Sequence, residues 1–507
     1  MEPTHHSPAV RAARAAAVDG AAARARRPGP VFWVIAIGTA VRLALVGLVP
    51  LTMDEAYYVE WARNLQPGYL DHPPAVAWLI AAPLQLLGAS PFALRLPAIL
   101  LQTLALVLAA SLVRARAGER AALATALGLQ AAPIFFAGGV LILPDTTLLL
   151  AWVGTFWALA RALDRHPAWL LAAGLFLGLG ALSKLTAGLL GLAVLAGLLA
   201  TRDGRRLLRT PWPWLGAGIA VAVAAPMLLW NAAHGWPSFT FQLRHGLSGR
   251  RFSIVRLLGS AGGQLAYVSP ILAALAAAAG WRALRARRDA LEAALAAAGL
   301  PLVAFFTYSA ARTPNALPHW PAPAWLSCLL LLCLSGGAVG RWWRRALWFG
   351  AGELAALLVV LGILLTVPIP PSVSILGRTY PVQVGPLDDL LGWREGARAA
   401  RQVAGDARLA VGHWMHLGQL GLYDGRSPAY LGARPSGPTF YDPDPLAAGA
   451  PLLVVTVAKR SHPKDAPPAL PRDLERRLGP LEHAGSYEAR QGDRLVRRYE
   501  FWWWRPR

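Results

Sequence analysis

The chain has 507 residues, of which 55% are hydrophobic and only 15% charged, against about 25% charged in an ordinary soluble protein. Its formal net charge is +22, but most of the excess is arginine in an N-terminal tail and in short loops between apolar runs. That is the positive-inside pattern of a membrane protein, not a nucleic-acid-binding stripe. The two cysteines, Cys328 and Cys333, share one apolar run and offer neither a disulfide framework nor a zinc spacing.

Residues 1–30 are rich in Ala and Arg without apolar period and read as a disordered cytoplasmic tail. The run Val31–Pro50 is too long for a signal-peptide core and has no small-residue cleavage site after it, so it reads as an uncleaved first span. A polar stretch follows, with Asp54, Glu55, Glu60, Arg63, Asp71 and His72, closed by Pro73-Pro74. Ala75–Leu87 is short for a crossing and reads as an interfacial or re-entrant helix. From Pro91 onward apolar runs alternate with arginine clusters. Pro91–Leu112, Ala121–Leu143, Thr146–Leu163, Trp169–Leu182, Leu185–Ala200, Trp214–Trp230, Val255–Gly280, Leu291–Ser309, His319–Gly337 and Ala346–Pro368 give, with the first, about eleven spans near bilayer length. The pair around Lys184 is tight and both spans are short, so one long broken helix is the alternative there. After a proline-rich linker, Pro368 to Pro371, the composition turns mixed and charged. Leu387–Val403 reads as an amphipathic helix, Pro451–Val457 as a buried strand and Arg494–Phe501 as an edge strand. The expected architecture is therefore mainly α: a transmembrane bundle over 31–368 with outer-face loops at 51–90 and 231–254, then a small extracytoplasmic α/β domain over 369–507.

Position singles out the residues for chemistry. Asp54, Glu55, Asp71, His72, Asp145, Lys184, Asn231, His234, Arg312 and His319 all fall at expected outer ends of spans or in outer loops. An ionisable group at mid-span costs about 2.5–3.5 kcal/mol on insertion scales; so many near one face point to a polar cavity there. Each also has a plainer reading: Asp54 or Asp145 as a helix N-cap, Glu55 as a favourable charge in a first helical turn, Lys184 as a snorkelling cation. Arg250 and Arg251 are weaker cation candidates. Trp230, Trp236, Trp320 and Trp325 suit an interfacial belt or sugar stacking, and Trp502-Trp503-Trp504 suit either packing in the last domain or rest on the membrane.

The local sequences LTMDEAYYVEWARNLQPGYLDHPPAVAWLIA around Asp54, ALSKLTAGLLG around Lys184, PMLLWNAAHGWPSFTFQLRHGL and PNALPHWPAPAW resemble membrane glycosyltransferases of family 39, within the C-type (GT-C) superfamily. The lipid A aminoarabinose transferase and the protein mannosyltransferases look like more distant relatives. The resemblance covers about Val31 to Trp325. It implies transfer of a sugar from a polyprenyl-phosphate donor to an acceptor hydroxyl on the outer face of a bacterial inner membrane, with inversion. The acceptor would be a glycolipid, a glycan or a protein. By that resemblance Asp54 is the expected base and Lys184 the expected cation for the departing phosphate. Glu55, Asp71, His72, Asp145, Asn231, His234, Arg312 and His319 are substrate-binding candidates. Relatives often carry a lysine where His72 stands, so its positive charge depends on protonation. No cofactor is called for outright; a divalent metal is an open option, with Asp54, Asp71 and His234 as weak candidate ligands. The competing reading is a transporter or flippase of a lipid-linked glycan, which would place polar groups and broken helices near the bilayer midplane, often in repeated halves.

Overall fold

The computed structural model describes residues 28–246, 251–286, 289–314, 316–367, 369–370, 372–375, 378–381, 389–432, 445–459 and 472–506. Most of the expected N-terminal tail (1–27), Arg250, and Pro368 and Pro371 of the expected linker lie outside these residues.

Helix α1 (Pro30–Leu45) starts with proline at its first position, where the missing N–H costs nothing. Helix α2 (Met53–Arg63) is set by a capping box: Thr52 accepts from the Glu55 N–H while the Glu55 carboxylate accepts from the Thr52 N–H. Asp54 is therefore inside the first turn and is not the cap. Helix α3 (Ala75–Leu87) has the bounds expected of the short apolar run. Helix α4 (Pro91–Ala131) is capped by Ser90 and kinked at Gly118, whose φ of 83° interrupts the helix between two expected spans. A short helix α5 (Pro133–Ala137) leads to α6 (Pro144–Asp164), again begun by proline. Next come α7 (Trp169–Ala181), α8 (Ala187–Ala200), α9 (Arg202–Leu208), α10 (Trp212–Ala233) and α11 (Pro237–Gly246). They are followed by α12 (Ile254–Val268), α13 (Pro270–Arg285), α14 (Ala290–Ala298), α15 (Leu300–Arg312), α16 (Ala322–Leu334) and α17 (Gly340–Thr366).

By length and composition, five helical stretches among the described residues can cross a membrane, or up to seven if each bent pair is one span; α1, α3, α7 and α16 are shorter apolar helices. The expected continuous span Val255–Gly280 is instead two helices bent by 102° at Ser269-Pro270. Pro270 cannot donate to the preceding turn, and Ser269 takes a φ of 75° to make the corner. Lys184 lies in the break between α7 and α8.

Beyond a short hairpin, β1 (Ser372–Ile375) with β2 (Arg378–Pro381), the C-terminal domain holds α18 (Trp393–Ala404), β3 (Arg408–Val411), α19 (Trp414–Asp424), β4 (Ala429–Tyr430), β5 (Leu452–Lys459), α20 (Arg472–Leu478), β6 (Glu482–Gln491) and β7 (Arg494–Trp504). The main sheet runs in the order β4-β3-β5-β7-β6, with β3 parallel to β4 and β5, and β7 antiparallel to β5 and β6. The Arg494–Phe501 segment is thus an interior strand, not the edge strand its alternation implied: besides its hairpin partner β6 it pairs with β5, which is remote in sequence. Trp502 and Trp504 hydrogen-bond within the domain, to Thr456 Oγ1 at 3.4 Å and to the Leu478 carbonyl at 3.1 Å.

The domain does not stand apart from the bundle. One buried cluster joins Tyr57, Val59 and Trp61 of α2 to Leu417 and Leu420 of α19, Trp393 of α18 and Tyr499 of β7. The helix that carries Asp54 is thereby packed between the bundle and the last domain.

Candidate active site

The site is built where α2, the start of α6 and the α7–α8 break meet. Asp145 follows the proline that opens α6, and Lys184 Nζ donates to both of its carboxylate oxygens at 3.0 Å. The break itself is stitched down: the Ser183 hydroxyl donates to the Pro144 carbonyl, and the Ala75 N–H donates to the Leu182 carbonyl at 2.9 Å. Asp54 lies within electrostatic reach of both Lys184 and Asp145. Its side chain is open to solvent although protein crowds it on nearly all sides, as befits a group lining a recess. That crowding pushes the Asp54 carboxyl above its ordinary range; Glu55 and Asp145 add to the rise and Lys184 opposes it. His319, in the turn before α16, faces Asp145 and Lys184; burial holds its imidazole below the usual histidine range, Lys184 pushing the same way and Asp145 the other. His72 also acts on Asp145. Tyr58, buried between them, keeps its hydroxyl protonated well above the usual phenol range, through burial and the charges of Asp54, Asp71 and Asp145.

Asp71 accepts a hydrogen bond from the Tyr57 hydroxyl at 3.0 Å, and its carbonyl accepts from the Gln242 side chain on α11. The structure thus gathers Asp54, Asp71, His72, Asp145, Lys184 and His319 at one end of the bundle. The far end of α6 carries the opposite kind of cluster, where Arg116 bridges Asp164 and Asp289. Twenty-one residues of helix separate the two, about 30 Å at 1.5 Å per residue, which matches the hydrocarbon thickness of a bilayer.

Four other expected residues are placed differently. Glu55 is fully buried, and its carboxylate is saturated inside the protein. Arg95 Nε and Nη2 each donate to it at 2.7 Å, the Ile142 N–H at 3.0 Å and the Thr52 N–H at 2.9 Å. It acts as a joint, with its carboxylate oxygens bonded to Arg95, Ile142 and Thr52. Asn231 is likewise fully buried, donating to the Met227 carbonyl and accepting from the Ser238 N–H at 3.1 Å each, so it shapes the turn from α10 to α11. His234 is exposed, stacks on Trp230 at 4.5 Å and bonds through Nδ1 to the Trp230 carbonyl. Arg312 donates to the Tyr308 hydroxyl at 3.1 Å in the last turn of α15. Asp54, Asp71 and His234 do not come together as metal ligands; no group of three or more His, Cys, Asp or Glu with that geometry exists among the described residues.

Arg95 is the functional residue the sequence reading passed over. It is wholly buried, pairs with Glu55, and also donates to the carbonyls of Val46, Val49 and Pro50 at 2.8–3.0 Å. It had a visible signal, an arginine inside an apolar run (PFALRLPAIL), where a charge needs an internal partner.

A helical membrane bundle with a polar cluster at one end and a small sheet domain packed over it defines the GT-C class of fold. Comparisons agree. Residues 71–230 match the family model described as dolichyl-phosphate-mannose-protein mannosyltransferase. A lipid A galacturonosyltransferase of Rhizobium johnstonii is 26% identical over 311 residues, which are 55% of this chain and 59% of that protein, so the similarity spans well under two thirds of the relative's length. ArnT from Cupriavidus metallidurans, in a crystal structure bound to undecaprenyl phosphate, superposes with a TM-score of 0.61 at 18% identity, covering 92% of this chain and 97% of that one. The apo form of the same protein gives 0.60. The chain shares the ArnT-like GT-C fold, and the mannosyltransferase family model matches less than half of its length.

Proposed function

We propose that this chain transfers a sugar from a polyprenyl-phosphate donor to a hydroxyl of a glycolipid acceptor, with Asp54 as the base and inversion at the anomeric carbon. The observation that carries the reading is the meeting of Asp54 with the Asp145–Lys184 pair in one recess at the end of the bundle opposite the arginine-rich end. Arginine clusters mark the cytoplasmic side, so the recess opens on the other face.

Transfer needs a proton acceptor beside the attacking hydroxyl. Asp54 is solvent-open within the recess, and its raised pKa makes its carboxylate a better base than an ordinary aspartate. As the acceptor oxygen bonds to the anomeric carbon, its proton passes to Asp54 and the sugar–phosphate C–O bond breaks. The leaving phosphate gains charge, and a fixed cation beside it lowers the barrier. Lys184 suits that task because Asp145 holds its ammonium at the recess. His72 and His319 line the same recess as imidazoles that add positive charge only when protonated. A lipid A-type acceptor follows from the name of the galacturonosyltransferase relative, and an undecaprenyl-phosphate donor from the ligand in the ArnT structure. The crowding of charged and polar groups at one end of the bundle, away from its middle, favours a transferase over a transporter.

Mass spectrometry of envelope glycolipids from cells with and without this chain tests the reading. Loss of one sugar residue from a lipid A-type species is the expected result. An unchanged glycolipid profile would remove the acceptor class.

A further inference from the structure

The C-terminal domain enters the proposed chemistry nowhere above, yet one of its helices touches α2 backbone to backbone. A Cβ placed on Gly418 of α19 would lie 2.4 Å from the Tyr57 nitrogen and 2.6 Å from the Ala56 carbonyl carbon. One placed on Gly421 would lie 2.3 Å from Glu60 Oε1. Trp414, Gly418 and Gly421 recur at helical spacing, so they share a face, and that face lies along α2: the Trp414 ring packs on the Tyr57 ring at 4.8 Å. Polar ties hold the face in register. Gln419, fully buried, donates through Nε2 to the Leu51 carbonyl at 3.1 Å. Arg63 donates to the Gly421 carbonyl at 2.8 Å and to Glu60 at 2.6 Å. Asp54 lies between the two anchor points, three residues after Leu51 and one helical turn before Tyr57.

We propose that α19 is a positioning element for the reaction: through Gly418 and Gln419 the C-terminal domain sets how far the Asp54-bearing turn of α2 projects into the recess. The helix is a stiff rod over so short a distance, so a displacement at Tyr57 is passed on to Asp54 almost undiminished. A methyl group at Gly418 meets main-chain atoms, which cannot rotate aside as a side chain would, and it must push α2 toward the bundle. General-base catalysis depends on hydrogen-bond reach of about 2.6–3.2 Å, and a misplacement of about 1 Å can cost about 10²-fold in rate. The inference rests on the reading of Asp54 as base, and the experiment separates the two.

Full-length wild type, Gly418→Ala, Gln419→Leu and Asp54→Asn are purified in lipid nanodiscs. Turnover is measured across pH with an undecaprenyl-phosphate-linked sugar that wild type transfers, and binding with undecaprenyl phosphate itself. The expected result is that Asp54→Asn is inactive. Gly418→Ala loses about 10²-fold in kcat with undecaprenyl phosphate affinity within twofold of wild type, and the acid limb of its pH profile moves from the wild-type position because the surroundings of Asp54 change. Gln419→Leu, which removes a bond without adding bulk, shows the same pattern to a smaller degree and covers the case in which the alanine variant does not fold. Normal kcat in both α19 variants beside an inactive Asp54→Asn overturns the positioning role and leaves the base reading intact. Parallel loss of turnover and of undecaprenyl phosphate binding makes α19 a general structural support and also overturns it. An active Asp54→Asn overturns the base reading and this inference with it.

Discussion

Arg95→Met is the perturbation whose size the structure sets most directly. The guanidinium and the Glu55 carboxylate are both fully buried, joined by two bonds of 2.7 Å. Arg95 is also a donor to the carbonyls of Val46, Val49 and Pro50, so it ties the end of α1 to the start of α2. Methionine fills much of the space and leaves Glu55 as a buried anion held by two backbone N–H groups alone. Breaking one side of a buried pair costs about 3–5 kcal/mol. Unpaired carbonyls add about 1–3 kcal/mol each where water does not reach them, and relaxation at the chain ends offsets part of that, so the expected loss is about 3–5 kcal/mol. Replacing both partners by apolar groups removes the stranded charge, so Arg95→Met with Glu55→Leu should recover much of the loss. Unfolding of the purified chain by SDS, followed by tryptophan fluorescence, measures all three proteins. A single Arg95→Met variant within about 1 kcal/mol of wild type, below the range for broken buried pairs, would show that the joint between α1, α2 and α4 does not rest on this pair.

Other outcomes follow from the same geometry. The raised pKa of Asp54 means that a base at this position is protonated, and turnover lost, as pH falls through a value above the ordinary aspartate range; a kcat/KM profile flat down to the usual aspartate pKa refutes it. Lys184 is the positive charge that restrains that rise, so Lys184→Ala should shift the acid limb upward as well as lower kcat by about 10²–10³-fold, the range for losing one charge-stabilising donor; unchanged kcat and an unmoved limb would exclude a phosphate role. Tyr57→Phe removes the 3.0 Å bond to Asp71 and should cost about 1 kcal/mol, read as a small drop in SDS resistance; no drop means that Asp71 is held by its other neighbours.

Much of the bundle was legible because its punctuation is local. Apolar length gave α3 its two ends, and apolar runs alternating with arginine clusters gave the approximate extents of α1, α4 and α6. The Ser269-Pro270 corner was written in the sequence as well, but apolar residues on both sides masked it as one long run. Pairings between distant segments were not legible. Arg95 meets Glu55 across forty positions, and β7 lies inside its sheet because β5 and β6 flank it, which strand alternation alone does not reveal. The recess residues were found by their position at span ends, a coarse filter. It collected Asp54, Asp145, Lys184 and His319 correctly as neighbours, and it also collected Glu55 and Asn231, whose polar atoms are consumed inside the protein. Glu55 is the instructive case: a charge in a first helical turn looks the same in sequence whether it faces a ligand or a buried arginine. The glycines of α19 carried no signal at all, since a glycine needed for close helix approach resembles any other glycine until its neighbour is known.

The central claim is sugar transfer by a base at Asp54. Its most direct test is mass spectrometry of purified lipid A incubated with undecaprenyl-phosphate-linked sugars and either the wild-type chain or Asp54→Asn, each first shown to bind undecaprenyl phosphate equally. The account predicts a mass increase of one sugar residue with wild type and none with Asp54→Asn. Equal increments from both proteins, or none from either across a panel of sugars and glycolipid acceptors, would contradict it.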